Sequence, residues 1–248
     1  MTVPVPALHF ADVRKSFAAD RRALDGLSLS VASGEIVALV GPSGSGKTTA
    51  LRLANRLIAA DSGEVSVFGA EVSSQDPVAL RRRIGYVIQE GGLFPHWTVA
   101  ENVETVPRLL GWSAVKRRAR TEELLAMVGL PAPQFASRRP SALSGGERQR
   151  VGVARALAAD PALVLMDEPF GALDPIARRA IQAEFRSWRS RLTAAVLFVT
   201  HDLREAFLLA DRVAVMQRGR IAQVGTPDDL IRRPSDAFVR EFVSEVAP

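Results

Sequence analysis

The sequence contains no cysteine, which excludes disulfide bonds, thiolate metal sites and a cysteine nucleophile. Long apolar runs are also missing. The longest, at 36–40, 163–166 and 194–199, have the length of strands, whereas a membrane-spanning helix needs about 20 apolar residues. Residues 1–11 lack the basic and apolar segments of a signal peptide. We therefore expect a soluble, intracellular protein that does not itself cross a bilayer.

Lysine is scarce as well: of 32 basic residues only Lys15, Lys47 and Lys116 are lysine, and 27 acidic residues reduce the net charge to +5. The basic clusters at 81–83 and 116–120 are short, and acidic residues lie between basic ones elsewhere. This pattern is typical of ordinary solvated surfaces rather than of a nucleic-acid-binding stripe, so no nucleic acid is expected as a partner. With 248 residues, 47% of them hydrophobic, the chain is long and apolar enough to bury a core, which excludes a disordered protein.

Hydrophobic periodicity indicates an α/β protein. Leu27, Leu29 and Val31 alternate with small or polar residues, as in a half-buried strand, and residues 36–40 form a continuous apolar strand. Apolar residues at 50, 51, 54, 57 and 58 then have the spacing of an amphipathic helix. Residues 99–159 favour a helical lobe, strands return at 163–166 and 194–200, and the segment beyond 225 favours helix. Asp174-Pro175 and the run 202–205 have the residues of helix starts.

A glycine-rich loop joins the apolar strand at 36–40 to the following helix. It fits the P-loop pattern G-x-x-x-x-G-K-[ST], whose backbone N–H groups bind phosphate oxygens. Lys47 would reach the β- and γ-phosphates, and the Thr48 hydroxyl would bind Mg²⁺. The residues expected to contact ATP here are Gly41, Pro42, Ser43, Gly44, Ser45, Gly46, Lys47, Thr48 and Thr49.

Two carboxylates follow the apolar strand at 163–166. Asp167 would bind Mg²⁺, and Glu168 is expected to act as the general base that polarises the attacking water. In isolation, a strand ending in Asp-Glu is usually a solvated turn. The P-loop upstream makes the functional interpretation the better one.

The segment Leu143-Ser144-Gly145-Gly146-Glu147 lies between these two motifs and resembles the signature motif of ABC-transporter ATPases. The resemblance extends over residues 8–240 in the expected order. It implies catalytic roles for Lys47, Glu168, Gln89 of the Q-loop and His201 as switch histidine, and it makes Gln89 a further Mg²⁺ ligand. Asp174 would belong to the D-loop, and Phe17 would stack on adenine, with a core phenylalanine as the less favoured alternative. His9 and His96 are expected to be structural.

The same resemblance implies a P-loop NTPase (RecA-like) core with an N-terminal antiparallel β subdomain and an inserted α-helical subdomain at roughly 91–159. The ATP-binding domain would span residues 8–240, followed by a short tail, 241–248. Two copies would form a head-to-tail homodimer in which Ser144, Gly145, Gly146 and Glu147 contact the ATP held by the partner copy. Integral-membrane permease subunits and a substrate-binding protein would complete the complex at the cytoplasmic face of the bacterial inner membrane.

Residues 84–89, 92–96 and 106–112 are similar to those of osmoprotectant importers for glycine betaine, choline and carnitine. Many members of that group carry C-terminal CBS domains, and the chain is expected to lack them. The alternatives are an importer of another small solute, such as an amino acid or an alkanesulfonate, and an ABC ATPase that acts on nucleic acid. A non-catalytic nucleotide-binding regulator is disfavoured because Glu168 is present. Leu93, Phe94 and Trp97 are either core residues or part of the surface that docks the permease.

Overall fold

The computed structural model describes residues 5–18, 21–89, 92–171, 175–189 and 193–244. The chain divides into two compact units. Unit 1 comprises Met1–Arg81 together with Ala194–Pro248, and unit 2 comprises Arg82–Thr193. Among the described residues, no helix combines the length and apolar character needed to cross a membrane.

Strands and helices alternate along much of the chain. In order they are β1 (Leu8–Ala18), β2 (Arg21–Val31), β3 (Ile36–Val40), α1 (Lys47–Ala54), β4 (Ser62–Val67), β5 (Ala70–Glu71), α2 (Pro77–Arg83), β6 (Ile84–Val87), α3 (Val99–Val103), α4 (Thr105–Leu109), α5 (Ala114–Met127), α6 (Ala132–Phe135), α7 (Gly145–Leu157), β7 (Leu163–Asp167), α8 (Pro175–Arg189), β8 (Ala195–Val199), α9 (Leu203–Leu209), β9 (Arg212–Gln217), β10 (Arg220–Gly225), α10 (Pro227–Arg232) and α11 (Ala237–Ser244).

Unit 1 contains an antiparallel sheet with the strand order β2-β1-β4-β5. Phe10 of β1 lies opposite Leu29 of β2 and Val65 of β4, and its side chain is fully buried. In β2, Leu27, Leu29 and Val31 are buried while the residues between them are not, so the predicted alternation is confirmed. This sheet is the antiparallel β part that the sequence predicted near the N-terminus.

A second set of strands in unit 1 carries the candidate phosphate loop. Strand β3 pairs in parallel with β8 on one side and β9 on the other, and β10 joins β9 antiparallel. All five residues of β3 and of β8 are buried, because a central parallel strand is covered on both faces. The loop after β3 therefore leaves at the carboxyl edge of a parallel sheet, where α/β proteins bind ligands.

Helix α1 is shorter than the periodicity predicted, because it ends at Ala54 and excludes Leu57 and Ile58. Arg56 adopts a left-handed conformation with φ 48°. The amide of Arg56 donates to Leu53 O and that of Leu57 to Arg52 O, which is the bonding pattern of a Schellman C-cap. Glycine usually occupies the left-handed position, so an arginine there gave no stop signal in the sequence.

Unit 2 is built mainly of helices. Helices α3 to α7 lie along the chain between β6 and β7, which pair in parallel with Gly85 opposite Val164. The described residues from 92 to 159 contain helices and no strand, as expected for the helical lobe, while the boundaries 8–240 and 91–159 stay predictions. Strands β6, β9 and β10 were not predicted.

Candidate functional site

The candidate phosphate loop in unit 1 bends sharply between β3 and α1. Gly41 has φ 150°, and a Cβ there would lie 2.2 Å from Met216 O. Gly46 has φ 107°, and its Cβ would lie 2.3 Å from Ala23 O. Only glycine permits these two close approaches of backbone to backbone. The amide of Gly219 also donates to Ser45 O at 3.0 Å, so the β9–β10 turn supports the loop.

Lys47 is the first residue of α1, and its side chain is buried. Its Nζ donates to Gly41 O at 2.8 Å and to Pro42 O at 3.1 Å. The ammonium group is thus held over the loop by the carbonyl groups of the loop itself. An ammonium in this position adds a positive charge to a concave, glycine-rich turn, which favours an anion.

The N-terminus of α1 is open. Gly46 provides no side-chain cap, and the first turn carries no acidic residue, so the first N–H groups of the helix and its dipole favour an anion. Ser45 Oγ is buried without a hydrogen-bond partner in the described part of the chain. Thr48 and Thr49 are half-buried in the first turn, and Pro42, Ser43 and Gly44 are exposed. These features fit a loop that a phosphate group completes.

The other two candidate residues of unit 1 lie on its surface. Phe17 is 57% exposed on β1, so it is not a core residue, and Lys15 Nζ lies 5.9 Å from the centroid of its ring. His201 is exposed immediately after β8. The Asp202 amide donates to Thr200 Oγ1, and Asp202 Oδ1 accepts from Arg204 N at 2.9 Å. Asp202 therefore caps α9 as predicted and fixes the turn that carries His201.

In unit 2, the candidate base and the Q-loop glutamine lie in contact. Asp167 is the last residue of β7 and is buried. Glu168 follows with φ 47°, and a non-glycine residue in that region stores about 1–3 kcal/mol of strain of the kind found at functional sites. Gln89 Nε2 donates to Glu168 Oε2 at 3.2 Å. Two residues 79 positions apart in sequence thus meet at the end of β7.

The turn after Glu168 is fixed by residues that the sequence did not indicate. The Gly171 amide donates to Glu168 O at 3.2 Å, and a Cβ on Gly171 would lie 3.0 Å from Glu168 Oε2. Arg178 of α8 donates from Nε to Phe170 O and from a terminal nitrogen to Gly171 O. An arginine on a solvated helix belongs to no sequence motif, so the sequence could not indicate that Arg178 holds this turn. Asp174, the candidate D-loop residue, lies outside the described residues.

The candidate signature residues form the N-terminus of α7 in unit 2. Ser144 is the N-cap, and its Oγ accepts from Glu147 N at 3.2 Å. The Glu147 carboxylate in turn accepts from the Ser144 amide at 2.7 Å, which completes a capping box. This backbone N–H holds the pKa of Glu147 below its ordinary value, and the positive charges of Arg138 and Arg150 act in the same direction. Ser144 and Gly145 are exposed.

The segment after Gln89 presents aromatic side chains on a fixed turn. Phe94 is 45% exposed, and its ring lies 4.6 Å from the Trp97 ring. Buried Asn102 holds this turn, because its Oδ1 accepts from Phe94 N and its Nδ2 donates to Thr98 O. Leu93 and Trp97 are half-buried. A core role is therefore wrong for Phe94, whose ring faces solvent.

An open groove of about 840 Å³ lies among α3, α5 and α6 in unit 2. Ala100, Ala114, Thr121 and Pro131 are among the residues that line it. Alanine, proline and threonine side chains form most of its walls, together with the charged side chains of Glu104, Arg117, Arg118 and Glu122. Within the described ranges, no group of three or more His, Cys, Asp or Glu side chains is arranged to hold a metal ion.

Comparison with known proteins gives a consistent result. A family model described as ABC transporter matches residues 24–171. The choline transport ATP-binding protein OpuBA of Bacillus subtilis (strain 168) is 48% identical over 238 residues, which are 96% of this chain and 62% of that protein. The glycine betaine uptake system ATP-binding protein YehX of Escherichia coli (strain K12) is 47% identical over 235 residues, which are 95% of this chain and 76% of that protein.

A solved structure agrees with these relatives. The ATP-binding cassette MJ0796, in a dimeric post-hydrolysis state bound to ADP and Pi, is 33% identical with a TM-score of 0.78, over 88% of this chain and 98% of that one. The predicted P-loop NTPase fold is therefore confirmed. The chain spans about 62% of the length of the choline transport relative.

Proposed function

This chain belongs to the ABC transporter family, and from that premise we propose that it is the ATP-hydrolysing subunit of an importer. The proposed cargo is a quaternary-amine osmoprotectant such as glycine betaine or choline. The observation that carries the hydrolytic part is the contact between Gln89 and Glu168, because a regulator that only binds nucleotide has no need of a positioned base. The names of the relatives support the substrate class.

The P-loop would bind the phosphate groups of ATP. Backbone N–H groups between Gly41 and Thr49 and the positive end of α1 provide donors and a favourable dipole. Lys47 would exchange a bond to one of its loop carbonyls for a bond to the β- and γ-phosphates. Phe17, exposed on β1, would stack on the adenine ring. Its ring provides the flat apolar face that a base needs.

A magnesium ion would be held by Thr48, Gln89 and Asp167 together with the phosphate groups. The hydroxyl, amide and carboxylate oxygens of these residues are the hard donors that Mg²⁺ prefers. The absence of a group of three acidic or histidine side chains among the described residues fits this ion, which takes one or two carboxylates plus substrate phosphates. When bound, Mg²⁺ would neutralise charge on the transferred phosphoryl group.

Glu168 would accept a proton from the water that attacks the γ-phosphate. Gln89, which donates to the same carboxylate, would orient both the carboxylate and the water. His201 would contact the γ-phosphate from the exposed turn after β8. General-base catalysis of this kind contributes about 100- to 10,000-fold to a rate.

Two copies would act together as a head-to-tail homodimer. The N-terminus of α7, exposed at Ser144 and Gly145, would bind the γ-phosphate of the ATP held by the other copy, and Asp174 would help to join the two sites. ATP would then make contacts in the closed dimer that are missing in the open one. That difference in binding free energy is what can drive a change of conformation.

Permease subunits and a substrate-binding protein would complete the importer at the cytoplasmic face of the bacterial inner membrane. We infer that a segment of the permease docks in the groove of unit 2 and on the exposed ring of Phe94. An exposed aromatic side chain is a feature of docking surfaces, where aromatic residues are enriched.

The hydrolytic role is tested by Glu168→Gln, which keeps the size and one oxygen of the side chain but removes the base. ATP affinity should stay within about twofold, and phosphate release should fall about 100-fold or more. Lys47→Ala serves as the contrasting variant, since it should weaken nucleotide binding itself. Unchanged phosphate release by the Gln variant would remove Glu168 from the proposed role.

A further inference from the structure

Arg155 connects the helix of the signature segment to the turn that carries Gln89. Arg155 lies near the C-terminal end of α7, and one of its terminal nitrogens donates to Gly92 O at 2.8 Å. Burial of its guanidinium lowers the pKa of Arg155 from its ordinary value. A desolvated cation gains the most from a bond of this kind.

Gly92 also lies in direct contact with the residue before Gln89. Gly92 has φ 48°, and a Cβ there would lie 1.9 Å from Ile88 Cδ1. Ile88 therefore packs directly against the Gly92 backbone. Fixing Gly92 by Arg155 consequently restrains Ile88, which immediately precedes Gln89 in the chain.

Helix α7 is also anchored under this turn. A Cβ on Gly85 of β6 would lie 2.5 Å from Ala156 O, so the glycine allows the end of α7 to touch the strand that leads into Gln89. Arg155 and Ala156 are neighbours in sequence. The same turn of α7 thus contacts the chain before Gln89 through Gly85 and after it through Gly92.

We propose that Arg155 is a positioning residue that holds Gln89 against Glu168 and so aligns the hydrolytic base. The contacts run from Arg155 to Gly92 O, from Gly92 to Ile88 beside Gln89, and from Gln89 Nε2 to Glu168 Oε2. The inference rests on the proposed ATPase activity. It adds a residue of α7, the helix whose first turn carries the signature segment, to the set that acts on Glu168 within the same copy.

The test uses Arg155→Met, which keeps the apolar stem and removes the donors, and Arg155→Lys, which restores a charged donor. The Met variant should keep its KM for ATP while its kcat falls about 10- to 100-fold, because misplacing a catalytic group by about 1 Å costs that much. The Lys variant should recover part of kcat. Arg186→Met is the matched control, since Arg186 lies on α8 of the same unit and is exposed, and it should not change kcat.

A double-mutant cycle separates positioning from general destabilisation. In a Gln89→Ala background, Arg155→Met should change kcat by less than about twofold, because residues that act through one another are not additive. Hydrogen exchange at the amides of residues 92–94 should become faster in the Met variant. Full additivity, an unchanged kcat, or faster exchange with an unchanged kcat would each overturn the inference. If Glu168→Gln in the otherwise wild-type chain leaves the ATPase activity unchanged, the proposed function is overturned instead. Faster hydrogen exchange in the Arg155→Met variant would still report on the contact between Arg155 and Gly92.

Discussion

At the scale of single residues, two glycines of the P-loop differ in their surroundings. Gly41 and Gly44 both have positive φ, but a Cβ on Gly41 would strike Met216 O, whereas a Cβ on Gly44 would meet no atom within 4 Å. The sequence motif specifies glycine at position 41 and leaves position 44 open, without giving the physical reason. The structure therefore ranks them by the space around each Cα.

This ranking predicts different losses of stability. Without nucleotide, Gly44→Ala should lower the free energy of unfolding by about 1–2 kcal/mol from backbone strain alone. Gly41→Ala should add the cost of overpacking, a further 1–3 kcal/mol or so. Urea unfolding monitored by circular dichroism measures both variants. Equal losses for the two would contradict the geometry of the loop.

Motif residues could be predicted at this scale because their chemistry and spacing are local in sequence. The residues that hold them in place could not. Met216 and Gly219 support the P-loop from more than 160 positions away. Long-range contacts of this kind leave no pattern in a single sequence.

At the scale of elements, the capping box of α7 explains why glutamate can occupy the fifth position of the signature segment. The Ser144 amide needs an acceptor three residues on, and Glu147 provides one at 2.7 Å. A glutamine would offer its Oε1 in the same place. The N-terminus of α7 is thus capped by residues of its own segment, and Ser144 and Gly145 remain exposed.

Glu147→Gln should therefore cost little at pH 7, whereas Glu147→Ala should lower the free energy of unfolding by about 1 kcal/mol. The pKa of Glu147 is lowered in the folded protein from its ordinary value of 4.5. Its contribution is consequently complete above that ordinary value and lost as pH falls through the lowered one. Urea titrations at pH 7 and pH 3 measure the difference. The Gln variant should lose less stability than wild type between the two, and an equal loss would contradict a charged cap.

Element types were largely predictable, and element ends were not. The buried strands β3, β7 and β8 followed from continuous apolar runs. The end of α1 did not, because Arg56 takes the left-handed position that usually signals glycine. Strands β9 and β10 were missed, since their polar residues at 212, 217, 220 and 223 interrupt the apolar pattern.

At the scale of the whole molecule, each ATP in the proposed homodimer would contact residues of both copies. Lys47 would act on the ATP of its own copy, and Ser144 on that of its partner. Lys47→Ala and Ser144→Arg each disable both sites of their own homodimer. A mixed dimer would carry both defects in one site and neither in the other.

Mixing the two inactive variants should therefore restore part of the ATPase activity, up to about a quarter of wild type if half of the dimers are mixed and one of their two sites works. Phosphate release measured across mixing ratios should peak near equal amounts. Lys47→Ala mixed with Glu168→Gln provides the inactive reference, because these two defects would fall in different sites of a mixed dimer. A mixture with no activity at any ratio would contradict shared sites.

The residues of this chain that bind nucleotide do not determine which solute is transported. The nucleotide-binding residues act on ATP whatever crosses the membrane, so the proposed substrate class depends on similarity to choline and glycine betaine systems.

Uptake of labelled glycine betaine therefore tests the proposed importer most directly. Cells with the intact gene, a deletion, and the deletion complemented by wild type or by Glu168→Gln would be compared at high and low salt, in a host lacking other betaine importers. We expect uptake to be lost in the deletion, restored by wild type and not restored by the Gln variant. Full uptake in the deletion, or equal rescue by the Gln variant, would contradict ATP-driven import of this solute class.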